Sequence, residues 1–469
     1  MPELPEVETV KNVLNKIVTN KTIKSIDVYR DLTIEGDKNE FVSSLTGETF
    51  LNVSRIGKYL IFHLTNDKVI ISHLRMEGKY YEYQESERDS KYAKVVFHFI
   101  DKTKLCYDDS RAFGLMKLST ESEYQKEEMI KKLGPEPFDI NDVSSIIKKV
   151  KKSNKPIKTT LLDQTLITGL GNIYVDETLY ASKIHPLTPA NKINKDEWES
   201  IINNAKEILS IAIEMGGSTI KSYHPGKDID GNFQTRIKVY GRSGEICPTC
   251  GHTFRFIKVG GRGTTFCPLC QLKKGAPINI GLTGKIASGK SVALNIFKEL
   301  GAATISSDEI VKDLYQKKEI ASLIEKNLHL KFKGNVVDKE QLRNHLLINI
   351  KDKKKLEKLI HPLVEEEIKN FLSKEANPIR VVEVPLLFES KVDHYFDTIV
   401  VIDIDQKIQK ERLKKRNPQS AIYLEEINKT NKIDENKNKA TYLINNDNDL
   451  ASFKKEIKSI FTEAKDRIS

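Results

Sequence analysis

The chain begins MPELPEVETV, so removal of Met1 would expose the secondary amine of Pro2 directly beside the carboxylate of Glu3. Such an amine, with a pKa of about 8, is partly neutral near pH 7 and can attack an aldehyde carbon to form an iminium. The adjacent carboxyl can supply the proton that opening a sugar ring requires. The same residues also read as an ordinary first helical turn, where proline is favoured. A second constellation is ICPTC and FCPLC, in which sixteen residues separate the pair Cys247 and Cys250 from the pair Cys267 and Cys270. Two such knuckles suit one tetrahedral zinc ion, which four thiolates close off from chemistry. A third is Gly284, Lys285, Ile286, Ala287, Ser288, Gly289, Lys290 and Ser291, the pattern G-x4-G-K-S between the apolar run PINI and the helical pattern VALNIFKEL. That context predicts a phosphate loop for ATP, with Lys290 reaching the β- and γ-phosphates and Ser291 on Mg²⁺.

These residues need elements to hold them. The 469 residues exceed one ordinary hydrophobic core, so several domains are expected. No apolar run approaches the length of a membrane span and no leader pattern opens the chain, which reads as soluble and cytoplasmic. The net charge of +10, from 76 basic and 66 acidic residues, is compatible with a nucleic-acid partner without requiring one. Lys238, Arg242, Arg255, Lys258, Arg262, Lys273 and Lys274 cluster against only Glu245, a candidate phosphate-binding face. Val7, Val10, Leu14 and Ile17 share one helical face, and KYLIFHL, KVIISHL and KVVFHFI read as strands. The pattern predicts a multidomain chain: a β-sandwich with an N-terminal helix over 1–120, a helical domain over 121–235, a zinc ribbon over 236–272, and an α/β P-loop domain with a parallel sheet over 278–469. Cys106 reads as a small buried hydrophobe.

The motifs MPELPEVET, GKYL, HLRMEG, DDSRAFG, LDQTLITGLGNIYVDE, VYGRSGEICPTC and GRGTTFCPLC resemble, in order, the formamidopyrimidine-DNA glycosylases, over residues 1 to about 273. The resemblance implies a helix-two-turn-helix domain and double-stranded DNA containing oxidised bases as partner. It implies Pro2 as Schiff-base nucleophile, Glu3 as proton donor, Lys58 as donor in β-elimination and Arg262 in δ-elimination. Met76, Arg111 and Phe113 would fill the gap left by an extruded nucleotide, as any enzyme acting on a base within a duplex requires. Asn172 and Arg262 would bind phosphates, and Glu6 with the loop GGSTIKSYHPGKDIDG would read the flipped base. Tyr92 stands where the family often has histidine. The endonuclease VIII-like sibling, which prefers oxidised pyrimidines, typically begins PEGPE, so oxidised purines are the expected substrate here.

GLTGKIASGKS, ISSDEIVKDLY, KLEKLIHPLV, VVEVPLLFES, ERLKKR and YLINN resemble dephospho-CoA kinase from about residue 278 onward. The resemblance implies ATP and dephospho-CoA as partners, Asp308 as the base on the ribose 3′-hydroxyl, and lid arginines Arg412 and Arg416 near the nucleotide. Lys285 replaces the usual glycine, Ser306 an aspartate and Thr441 another. Another small-molecule P-loop kinase, or a non-catalytic zinc module with an ATP-bound regulator, are the alternatives. A monomer is expected.

Overall fold

Leu4–Val18 form one helix because Val7, Val10 and Leu14 recur at helical spacing and are buried along one stripe. Pro5 falls in its first turn, where no N–H partner is needed, and Glu3 and Glu6 close a capping box around it. This computed structural model describes residues 2–218, 232–416 and 433–468. Most of the glycine-bounded loop expected to read the base, from 219 to 231, lies outside the described residues.

Eight antiparallel strands follow the helix: β1 (Ile23–Val28), β2 (Phe50–Ile56), β3 (Tyr59–Leu64), β4 (Lys68–His73), β5 (Lys79–Gln84), β6 (Ala93–Phe99), β7 (Thr103–Asp108) and β8 (Leu115–Thr120). They form two four-stranded sheets, ordered β1-β6-β7-β5 and β2-β3-β4-β8. Phe50, Phe62, Phe97 and Phe99, from both sheets, share one core with the helix residues Val7, Val10 and Leu14. The expected sandwich is thus present, and Cys106 is buried in it. A second core gathers Trp198 and Leu209 of the helix Lys195–Glu214 with Tyr174 and Leu179 of the helix Asn172–Ala181.

Contact density divides the chain into two units: Met1–Arg242 with Lys258–Thr265, and Ser243–Ile257 with Phe266–Ser469. The ribbon hairpin, β9 (Arg255–Val259) and β10 (Arg262–Phe266), contributes to both. The second unit holds a parallel sheet of β11 (Ile278–Gly284), β12 (Ala303–Ser306), β13 (Ile379–Glu383), β14 (Thr398–Asp403) and β15 (Tyr442–Asn445), in the order β12-β13-β11-β14-β15. Alternate residues of β14 enter opposite cores, Ile399 and Val401 one, Val400 and Ile402 the other, as a sheet covered on both faces requires. Among the described residues no helix is long and apolar enough to cross a membrane.

Candidate active sites

Glu3 sits at the N-terminus of the helix Asn172–Ala181, where its carboxylate accepts from the backbone N–H groups of Ile173 (3.0 Å) and Tyr174 (3.4 Å). Gly171 makes this approach possible, since a Cβ there would lie 2.2 Å from Glu3 Cδ. Burial pushes the Glu3 carboxyl up to about 7, opposed by the charge of Lys58 and reinforced by that of Glu6. Lys58 is also buried; its Nζ donates to the Leu170 carbonyl at 2.6 Å, and burial lowers its pKa to about 8. Burial thus moves the pKa of Glu3, the neighbour of Pro2, and that of Lys58 toward neutrality from opposite sides. Glu6 is fully engaged inside the protein: it accepts from Glu3 N (2.8 Å), Tyr174 Oη (2.6 Å), Ser218 N (2.8 Å) and Ser218 Oγ (2.9 Å). Tyr174 and Ser218 carry no signal in the sequence.

The residues expected to meet the duplex are mostly exposed. Arg111 stacks over the Phe113 ring at 5.2 Å, and Phe113 is 57% exposed. Their loop is held by buried Asp109, a residue the sequence reading missed, which accepts from the N–H groups of Arg111 (2.9 Å), Phe113 (2.9 Å) and Gly114 (2.8 Å). Met76 is half-buried, next to Arg75 with its positive φ of 53°. Arg262 is exposed at the start of β10. The following residues are pinned to the helix Asn172–Ala181: Gly263 O accepts from Lys158 Nζ (3.0 Å) and Asn172 Nδ2 (3.0 Å), and Thr265 N donates to Asp176 (3.1 Å). Lys158 and Asp176 are themselves a buried pair at 2.6 Å.

The four cysteine sulfurs lie within 4.8 Å of one another, with Cys247–Cys270 at 3.9 Å and Cys250–Cys267 at 3.3 Å. A tetrahedron with Zn–S bonds of about 2.3 Å has edges of about 3.8 Å, so the donor set fits zinc.

At the carboxyl end of β11 the phosphate loop folds over Lys290, whose Nζ donates to the carbonyls of Gly284 and Lys285 at 2.9 Å each. The left-handed positions are Ala287 (φ 60°) and Gly289 (φ 104°). The left-handed strain of the loop, about 1 kcal/mol, therefore falls on Ala287 and not on Lys285, where the family usually has glycine. Asn446 donates to Ser288 O (2.7 Å) and Gln409 to Ile286 O (3.0 Å), which brace the loop from behind. Arg412 donates to Asn446 O at 2.9 Å; Arg416 ends the helix Gln406–Arg416. Two of the departures have structural uses. Ser306 caps the helix Ser307–Leu314, accepting from Glu309 N (3.1 Å), and Thr441 Oγ1 accepts from Ile399 N (3.0 Å). Asp308 stands exposed in the first turn of that helix, at the mouth of a cavity of about 480 Å³ also lined by His361, Pro385, Leu386 and Glu389. Glu383, which the sequence reading also missed, ends β13 beside it. Burial raises the Glu383 pKa, with the charge of Lys290 opposing and that of Asp308 adding, so the three groups share one field. A carboxylate closing an apolar strand, VVE, was the available signal.

Residues 1–116 match the family model of the formamidopyrimidine-DNA glycosylase N-terminal domain, 133–224 its H2TH domain, and 244–272 the zinc finger found in FPG and IleRS. Residues 278–452 match the dephospho-CoA kinase model. A formamidopyrimidine-DNA glycosylase of Ligilactobacillus salivarius is 46% identical over 278 residues, covering 58% of this chain and 100% of that protein. One of Lactobacillus acidophilus is 45% identical over 274 residues, 58% of this chain and 99% of its own length. A crystal structure of a Lactococcus lactis FPG mutant with Fapy-dG-containing DNA aligns with a TM-score of 0.56 at 41% identity, covering 58% of this chain and 100% of that one. The same organism's Fpg with DNA containing an abasic site aligns with a TM-score of 0.54 at 40% identity, again over 58% and 100%. From its N-terminus through the zinc ribbon the chain belongs to the formamidopyrimidine-DNA glycosylase family, and it carries a dephospho-CoA kinase domain behind it.

Proposed function

We propose that the N-terminal portion excises oxidised purines from duplex DNA and cleaves the resulting abasic site by β,δ-elimination. The Pro2 nitrogen bonds to C1′ of the damaged nucleotide, the C1′–base bond breaks, and Glu3 gives its proton to the opening sugar ring. Lys58 and Arg262 serve the two eliminations, in which the 3′ and then the 5′ phosphate leave. The observation that carries this reading is the buried Glu3, its pKa near 7, beside Pro2 and Lys58. Glu6 holds the Glu3 backbone and the Tyr174 hydroxyl, so it positions the acid. Met76, Arg111 and Phe113 occupy the vacated place in the duplex. The C-terminal portion transfers the γ-phosphate of ATP to the 3′-hydroxyl of dephospho-CoA, with Asp308 accepting the hydroxyl proton. Mg²⁺, when bound with ATP, would supply charge neutralisation at the phosphates, and Ser291 and Glu383 would hold it. The test is a substrate panel: single-turnover excision faster on 8-oxoguanine than on oxidised pyrimidines, and phosphorylation faster on dephospho-CoA than on AMP. Reversed preferences would refute the respective assignment.

Three further results are expected. Base release needs Glu3 protonated and Pro2 neutral, so it should level off between about pH 7 and 8, where the gain in neutral amine offsets the loss of the Glu3 proton, and fall about tenfold per pH unit above about 8, a limb that Glu3→Gln abolishes. The folded value lies above the unfolded 4.5, so Glu3's contribution to stability is complete below pH 4.5 and is lost as the pH rises through about 7. The thermal midpoint of Glu3→Gln, followed against pH, should lack this loss. Asp109→Ala would leave three loop N–H groups without their acceptor and free the Arg111–Phe113 loop. Fluorescence anisotropy on a duplex with an abasic analogue should show binding weakened by about tenfold, or about 1.4 kcal/mol.

A further inference from the structure

Part of the basic ribbon cluster faces inward. Arg255 donates to the carbonyls of Phe396 (2.7 Å) and Lys439 (3.4 Å), and Lys273 pairs with Asp397 at 2.9 Å. His252 bonds the Ala440 carbonyl, and Thr253 N donates to Asn438 O at 3.3 Å. The zinc knuckles therefore hold Asn438–Ala440, the residues that lead into β15.

The phosphate loop holds the other end of the same segment. Lys285 Nζ lies 3.2 Å from Asp403 and 3.0 Å from Asp434. Lys437 Nζ reaches the same two carboxylates, at 2.5 and 2.8 Å. Residues 433–440 thus run from a lysine of the nucleotide loop to the ribbon whose hairpin carries Arg262. A glycine at position 285 could not make this link.

We propose that nucleotide binding at Gly284–Ser291 and DNA binding at the ribbon hairpin are coupled through residues 433–440; this rests on the ATP and DNA assignments above. The phosphates of ATP attract the Lys285 ammonium and draw it from Asp434. That segment then loosens its hold on the ribbon, and the hairpin meets DNA less well ordered. By linkage, DNA weakens nucleotide binding by the same factor that nucleotide weakens DNA binding.

The test uses the full-length, zinc-loaded chain. Anisotropy on a duplex with a tetrahydrofuran abasic analogue is measured with and without saturating Mg²⁺ and a non-hydrolysable ATP analogue, whose own binding is followed by calorimetry. DNA binding is expected to weaken about fivefold with the analogue present, and analogue binding about fivefold with DNA present. Hydrogen exchange at 437–440 should quicken on nucleotide binding. In Asp434→Asn, an exposed substitution, the two affinities should become independent. Equal DNA affinity with and without bound nucleotide overturns the coupling, and coupling that persists unchanged in Asp434→Asn overturns the route. Failure of the chain to bind one ligand at all overturns the functional assignment, and the coupling with it.

Discussion

Pro2→Gly is expected to lower borohydride trapping on a duplex containing 8-oxoguanine by on the order of 100-fold, because an amine freed from the proline ring loses its fixed attack geometry. Glycine still offers a primary amine, so the loss reports orientation more than basicity. Pro2 is buried next to Glu3, whose place at the Asn172–Ala181 helix is set by two backbone N–H groups. Glu3→Gln should slow base release by roughly 10²–10⁴, and should slow cleavage of a preformed abasic site much less, since the base has already left. Trapping by Pro2→Gly at the wild-type level would show that another amine is the nucleophile. Intact mass would report removal of Met1, without which Pro2 has no free amine.

Lys290→Ala should reduce dephospho-CoA phosphorylation by roughly 10³, since it removes the charge that follows the transferring phosphate. Its Nζ now rests on two loop carbonyls, both of which ATP would displace it from at little cost. Asp308→Asn should lower kcat with ATP binding retained, because Asp308 lines the cavity of about 480 Å³ and lies outside the loop Gly284–Ser291. Neither change should alter base excision measured without nucleotide. An Asp308→Asn enzyme of unchanged kcat would assign the proton to another group, and Glu383 is the nearest candidate in the same field.

The ordered motifs made two catalytic portions legible because each packs its chemistry into a few consecutive residues. Pro2 and Glu3 are neighbours, the cysteines come in pairs three apart, and the phosphate loop is contiguous, so bonding geometry alone restricts what they can bind. Short apolar runs likewise announced the sandwich strands and β11.

What tertiary structure decided was which distant group meets which. Glu6 finds Tyr174 and Ser218 far along the chain, and its carboxylate accepts hydrogen bonds from both. Asp109 orders a loop only because three N–H groups converge on it, and Glu383 matters only because parallel pairing brings β13 beside β11. Lysine replaces the usual glycine at 285, but the left-handed turn falls at Ala287 and the lysine forms ion pairs. Arg255 and Lys273, read as phosphate ligands from charge alone, spend their hydrogen bonds and charge within their own unit. Local pattern determined the chemistry each segment can perform. The pKa of Glu3, the partners of Glu6 and the inward turn of the ribbon depend on burial and on contacts between remote residues, which a linear sequence does not encode one residue at a time.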